Sequence, residues 1–233
     1  MAKIIRKPGT YLEDQGGRFL VRALSLMLLA LVLAIALHPV YGALPLPWAV
    51  RAGRRYLRYA KGLAGEGEVR RVLEQLDDSY YVIHDAELPR ANIDHIVLGP
   101  NGVFVLETKH FSGWVECEGD RWWVARNATG RRFKLPRSPS VQVKRNAAMV
   151  RERIRKFETT VLKGFPLAGW VQAVVVLSHP DAHLELLLPP AAVDVVKVSE
   201  LVDRITATPP RQRLPAPVLT KMGLALLGMK SWP

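Results

Sequence analysis

From Ala23 to Val50 the chain carries no Asp, Glu, Lys or Arg, and the densest part, Leu24 to Leu37, reads LSLMLLALVLAIAL. A helix that is apolar all round cannot stand in water; protein or lipid must cover it. A membrane-spanning helix needs about 20 predominantly apolar residues. Leu20 to Val40 supplies them if Arg22 snorkels its guanidinium to the interface. A single transmembrane helix is therefore expected over residues 20–40. Pro39, Pro45 and Pro47 end it, and Tyr41 and Trp48 suit the headgroup belt. A buried core helix and a shallow re-entrant segment are the alternatives. A cleaved signal peptide fits poorly, because the basic region ahead of the apolar run extends to Arg22. Lys3, Arg6, Lys7, Arg18 and Arg22 on one side balance Arg51, Arg54, Arg55, Arg58 and Lys61 on the other, so charge gives no orientation.

The rest of the 233 residues can build one ordinary domain, and a hydrophobic content of 49% excludes global disorder. One cysteine, Cys117, excludes a disulfide framework and reads as a small packed residue. The net charge of +12 is concentrated: thirteen Lys or Arg between Arg121 and Lys163 face two acids, Glu152 and Glu158, leaving +11 in that stretch. Such an excess suits a polyanion, either nucleic acid or an anionic membrane surface. A solvated basic face without a partner is the plainer reading. Lys144, Arg145, Arg151 and Arg155 are the candidate phosphate contacts.

Gly62 to Gly67 (GLAGEG) reads as a boundary, and its spacing fits no phosphate-cradling loop. Val69, Val72, Leu73 and Leu76 then recur at helical spacing, predicting a helix over residues 68–76. Strands are expected at residues 80–84, 93–98, 103–109, 122–125, 170–177 and 193–198. Ser138-Pro139-Ser140 opens a helix to about Phe157, with Val143, Ala147, Val150, Ile154 and Phe157 on its apolar side. Ser199 can cap a helix to about Ile205, and a proline-rich linker (residues 209–217) precedes a last helix near Leu219 to Met229.

The chemistry-bearing segment joins Asn92-Ile93-Asp94-His95 to Glu107-Thr108-Lys109 across Gly99-Pro100-Asn101-Gly102. Asn-Gly between β-branched runs signals a hairpin. With the turn centred on Asn101-Gly102, opposed residues have numbers summing to 203. Asp94 then faces Lys109, Ile96 faces Glu107, and Glu107 is diagonal to Asp94. Alternation puts Asp94, Glu107 and Lys109 on one face and His95 on the other, where it reads as structural. Two carboxylates and an ammonium are costly to bury unless paired or bound to an ion. Their oxygens are hard ligands of the kind that Mg²⁺ or Mn²⁺ takes. A solvated ion-pair cluster is the alternative. His179 and His183 flank Pro180-Asp181 and read as a loop rather than a ligand pair.

The order of these features resembles a known family. Gly67-Glu68 opens a helix, Ile93-Asp94-His95 follows, and Gly102-Val103-Phe104-Val105 runs into Glu107-Thr108-Lys109; Gly113, Trp123 and Pro139-Ser140-Val141-Gln142 come after. The pattern is similar to the nuclease-related domain (NERD) family, a branch of the PD-(D/E)xK nuclease superfamily, over about residues 62–178. Asp94 follows Ile93 where the superfamily label has proline. The resemblance implies an α/β fold with a mixed central sheet flanked by helices. It implies that Asp94, Glu107 and Lys109 are catalytic, with Glu68 as the helix glutamate and third metal ligand and Gln142 as the helix glutamine. Glu66 competes with Glu68 for that role. Gln142 and Asn146 share one helix face.

These readings predict a membrane anchor and basic linker over residues 1–60, a nuclease-like domain over 61–180 and a C-terminal extension over 181–233. The expected activity is Mg²⁺- or Mn²⁺-dependent hydrolysis of phosphodiester bonds, in DNA before RNA, at the cytoplasmic side of a membrane. The alternatives are a catalytically silent nucleic-acid-binding domain and a scaffold at an anionic membrane surface.

Overall fold

The computed structural model describes residues 1–6, 11–89, 91–158, 171–210 and 213–228. Lys7, Lys163, Trp170, residues 211–212 of the linker, Met229 and the side chain of Phe157 lie outside the described residues. The chain divides into two compact units: residues 9–64, and a unit combining residues 1–8 with 65–233.

The 9–64 unit is helical. Helix α1 (Tyr11–Ala36) stops ahead of Pro39, which opens the single turn α2 (Pro39–Gly42). Helix α3 begins at Leu46, with Pro47 in its first turn, where a missing N–H costs nothing. Phe19 of α1 stacks on Tyr59 of α3, with ring centroids 5.5 Å apart, and the Arg55 guanidinium lies over Phe19. Gln15–Ala36 is long and apolar enough to cross a membrane.

Helix α3 runs to Leu73, so residues 62–67 are helical, and the two units divide within them, between Ala64 and Gly65. The glycines there serve packing. A Cβ on Gly65 would lie 2.6 Å from Ser178 Oγ and 2.8 Å from His110 Cβ, so only glycine lets the helix approach this closely.

The larger unit contains two sheets. The first has six strands in the order β1-β2-β3-β4-β8-β10: β1 (Lys3–Arg6), β2 (Tyr81–Leu88), β3 (Ala91–Gly99), β4 (Gly102–Lys109), β8 (Val171–Leu177) and β10 (Val193–Lys197). It is mixed: β2-β3-β4 is antiparallel, whereas β1 on β2, β4 on β8 and β8 on β10 are parallel. The N-terminal strand β1, unforeseen in the sequence, is anchored by the Lys3 N–H donating to Tyr80 O at 2.9 Å and by buried Ala2. The second sheet has the order β7-β6-β5-β9: β5 (Gly113–Glu118), β6 (Arg121–Ala125), β7 (Phe133–Lys134) and β9 (Ala182–Leu188).

Helices flank the first sheet. Val143, Ala147, Val150 and Ile154 of α4 (Pro139–Glu158) join Leu219, Met222 and Leu226 of α6 (Ala216–Leu227) against Ile83, Ile96, Val105 and Val175. Val69 and Leu73 of α3 join Leu201 and Ile205 of α5 (Leu201–Thr206) in a second cluster with Val82, Val97, Phe104 and Val174. Each such side chain contributes about 1.5–3 kcal/mol by leaving water. Ser199 does not cap α5. It lies in a 3-10 turn (Val198–Glu200), where the Glu200 carboxylate accepts the Lys197 N–H at 3.2 Å.

The β3–β4 hairpin forms, with a different centre. His95 pairs with Leu106, Ile96 with Val105 and Gly99 with Gly102, so opposed numbers sum to 201 and the turn is Pro100-Asn101. Two features set this register. A Cβ on Gly99 would lie 2.3 Å from the Tyr80 ring, and Gly102 has φ +148°, open to glycine. Asn101 is then buried, its amide donating to Ile205 O at 2.6 Å and Thr208 O at 3.1 Å. Asp94 is therefore not opposite Lys109; one step past His95–Leu106, it falls opposite Glu107. A two-residue shift preserves the faces that a one-residue shift would exchange. Asn101→Ala leaves two buried carbonyls without that donor and should lower unfolding stability by about 1–3 kcal/mol in chemical denaturation. An unchanged midpoint would show that this amide does not fix the turn.

Candidate active site

The open end of the hairpin gathers acids from several elements. The Asp94 carboxylate accepts the Thr108 backbone N–H at 2.7 Å, which fastens β3 to β4 beside Glu107. Glu107 is buried, 1% exposed; one carboxylate oxygen pairs with the Lys109 ammonium and the other accepts from the Asn146 amide at 3.4 Å. Asn146 is wholly buried on α4, and its Oδ1 has no partner among the described residues.

Helix α3 brings Glu66, not Glu68, to these groups. Val69 and Leu73, at 0% and 1% exposure, mark the buried face of α3, and Glu66 precedes them by three and seven residues. Glu68 lies off that face and pairs with exposed Arg71 at 2.6 Å. Burial first, then the charges of Asp85 and Glu107, push the Glu66 carboxyl up from 4.5 to about 7. Burial also raises Asp94 well above the ordinary range, helped by Glu107 and Glu66 and opposed by the Thr108 N–H and Lys109. Glu107 is raised by burial, against the pull of Lys109 and Arg145.

Asp85 is a further acid that the sequence did not reveal. His84 pairs with His95 and Ala86 with Ile93, so the β2–β3 register sets Asp85 opposite Asp94. Like charges directly opposed are unfavourable. The backbone at Asp85 takes a left-handed φ of +47°, costly for a non-glycine residue. Neither Asp85 nor its pairing shows in the sequence before the β2–β3 register is known.

The other candidates separate. Gln142 sits one turn before Asn146 on α4, half-buried, and Asn146 is the residue that touches Glu107. Of the four basic residues proposed on α4, Lys144 pairs with Asp120 at 2.7 Å and Arg151 donates to Val171 O. Arg145 and Arg155 are exposed, and the Arg145 charge reaches Glu107. His95 and His84 are buried with their Nδ1 atoms 2.8 Å apart, and burial holds His84 near 4 and His95 well below its usual value. They form a neutral structural pair. His183 is in β9, its ring 3.6 Å from that of Trp114, while His179 packs on His110. Cys117 is buried and its thiol is pushed up to about 11, removing thiolate reactivity.

Among the described residues no three His, Cys, Asp or Glu side chains converge as ligands of one ion. The donors are nonetheless hard oxygens, from buried Glu107 and partly exposed Asp94 and Glu66, of the type that a divalent cation takes.

A mixed sheet flanked by helices, with acids and a lysine at the end of its central hairpin, defines an α/β fold of the PD-(D/E)xK type. The nuclease-related domain family model matches residues 61–178, half of the chain, and the protein belongs to this family. An uncharacterised protein of Bacillus anthracis is 48% identical over 61 residues, covering 24% of this chain and 29% of that protein. The chain thus spans under a third of that relative's length. No solved structure matches the chain.

The raised carboxyls give a pH test. A group whose folded pKa exceeds its unfolded value binds its proton more tightly in the folded state. The stability that protonated Glu66 contributes is complete below about 4.5 and is lost as pH rises through about 7. In chelator-treated protein, melting temperature should fall between pH 5 and 8, and Glu66→Gln should flatten that fall. An equal slope in the variant would place Glu66 in water.

Proposed function

We propose that the protein is a membrane-anchored, metal-dependent nuclease that hydrolyses phosphodiester bonds, of DNA before RNA. The observation that carries this reading is the gathering of Glu66, Asp94 and Glu107, each raised by burial, beside Lys109. Crowding two partly exposed acids around buried Glu107 is destabilising, and a polyanion-cleaving site that holds Mg²⁺ or Mn²⁺ gives the arrangement a purpose. Asp94, Glu107 and Glu66 would hold the ion, with Glu66 in the place the sequence assigned to Glu68. When bound, the ion would acidify a water molecule and neutralise charge on the scissile phosphate.

The chain's own residues supply the rest. Lys109, held by Glu107, is the cation that can meet the developing negative charge. Asn146 fixes the Glu107 carboxylate from α4 and keeps a second polar atom, Oδ1, available at the site. Arg145 and Arg155 present exposed charge to the backbone of the nucleic acid, while Gln142 extends the polar edge of the same helix. The apolar stretch of α1 holds this activity at a membrane, with the nuclease domain on the cytoplasmic side where nucleic acid is found.

A catalytically silent nucleic-acid-binding domain is the second reading. It is favoured by one observation: Glu107 is already satisfied by Lys109 and Asn146. Cleavage of plasmid and single-stranded DNA by the full-length protein with Mg²⁺ or Mn²⁺ decides between them. Asp94→Asn and Lys109→Ala should each reduce cleavage by about 10²–10³-fold while DNA binding persists. Glu66→Gln should lose at least about tenfold, and Glu68→Gln should stay within about twofold. DNA binding without cleavage in the wild type would establish the silent reading.

A further inference from the structure

The membrane segment has a topology that apolar length alone does not give. Strand β1 is hydrogen-bonded into the six-stranded sheet beside β2, and α3 delivers the chain back to that same unit at Gly65. Residues 9–64 therefore leave one folded body and return to it. A single pass through a bilayer would put β1 and β2 on opposite sides, which their hydrogen bonds forbid. Two passes would require the return arm to be apolar, yet α3 carries Arg51, Arg54, Arg55, Arg58 and Lys61. Such charges are costly at the bilayer centre.

The contacts of α1 with α3 show where the charged part ends. Gly16 lies against Tyr59, Phe19 against Tyr59 and Arg55, and Arg22 shares a cleft with Trp48 and Arg51. Beyond this level the hairpin is Ala23 to Val50, free of charge, with Leu24, Leu28, Leu31, Ile35, Val40 and Leu44 exposed. The α1 arm of that tip, Ala23 to Ala36, is about 21 Å long at 1.5 Å per residue. That is short of the roughly 30 Å of a bilayer's hydrocarbon core. At its base, Arg22, Arg51 and Arg55 line one cleft of about 210 Å³ together with Phe19, Trp48 and Ala52, and among the described residues no acid lines it.

We infer that residues 23–50 form a re-entrant hairpin embedded in one leaflet, with Arg22, Arg51 and Arg55 at its base receiving the phosphates of anionic lipid. The inference rests on the membrane-anchored reading above and replaces the single pass expected from the sequence. It also accounts for the five basic residues on each side of the apolar run. Both flanks face the same leaflet, so both carry the charge that the positive-inside rule assigns to one side.

Single cysteines test it in the full chain, whose native Cys117 is buried. Lys3→Cys on β1, Glu152→Cys on exposed α4 and Tyr41→Cys at the tip are exposed, in intact cells and in inverted vesicles, to a membrane-impermeant maleimide. Lys3→Cys and Glu152→Cys should react from the same, cytoplasmic side. Tyr41→Cys should react from neither side, and fully once detergent is added. Reaction of Lys3→Cys and Glu152→Cys from opposite sides, or of Tyr41→Cys from the outside, would overturn the hairpin while leaving membrane attachment intact. Reaction of Tyr41→Cys from the cytoplasmic side, with release of the protein by carbonate, would remove the membrane reading itself. For the cleft, phosphatidylglycerol added to protein in neutral detergent should raise the melting temperature, and inorganic phosphate should not. Arg22→Gln, Arg51→Gln and Arg55→Gln should each weaken that response on the order of fivefold. An equal response to inorganic phosphate, or none lost in the variants, would contradict a lipid site.

Discussion

The register of the β3–β4 hairpin is the constraint on which the site depends. Gly99 and Gly102 close a two-residue turn because the Tyr80 ring leaves no room for a side chain at one and the backbone excludes one at the other. The Asn101 amide then binds the carbonyls at the end of α5. With that register, Asp94 falls opposite Glu107 and accepts the Thr108 N–H, and the acids meet at the open end of the hairpin. One residue of slip would send Asp94 to the other face; two residues leave the face unchanged. The chemistry is thus protected against a change of turn centre but not against a change of loop parity.

The other elements converge on this end. Helix α4 forms the crossover cover for the parallel pair β4–β8 and lowers Asn146 onto Glu107. Gly65 lets α3 press against His110 and Ser178, which sets Glu66 beside the strand ends. The buried pair His84 and His95 stays neutral, so the positive charge at the site comes from Lys109, Arg145 and Arg70 of α3. The cost of this design is electrostatic: burial raises all three acids, and neighbouring carboxylates raise Asp94 and Glu66 further, whereas Lys109 and Arg145 pull Glu107 back down.

Much of this was legible in the sequence, and the failures have specific causes. Apolar runs with strand character located β2, β3, β4, β6 and β8, and helical spacing located α4. Parity alone put Asp94, Glu107 and Lys109 in one group. The turn centre was misplaced by favouring Asn-Gly, because the demands of Tyr80 and of the α5 carbonyls are tertiary. The resemblance points to Glu68 as the helix glutamate, with Glu66 as its competitor; Val69 and Leu73 mark the buried face of α3, and that face carries Glu66. Asp85 and β1 could not be read, since both owe their meaning to pairing between strands. GLAGEG reads as a boundary, and the two units divide within it, but inside a continuous helix, because glycine marks both loops and close helix packing.

The central claim is that Asp94, Glu107 and Glu66 act together as one cation site. Calorimetric titration of the chelator-treated protein with Mn²⁺ near pH 7, in buffers of different ionisation enthalpy, tests it most directly. Because Glu66 titrates at about 7 and Asp94 and Glu107 are raised, binding should release protons to the buffer, and Asp94→Asn should abolish both the heat and the release. Mn²⁺ binding without proton release, or binding that survives Asp94→Asn, would contradict the account.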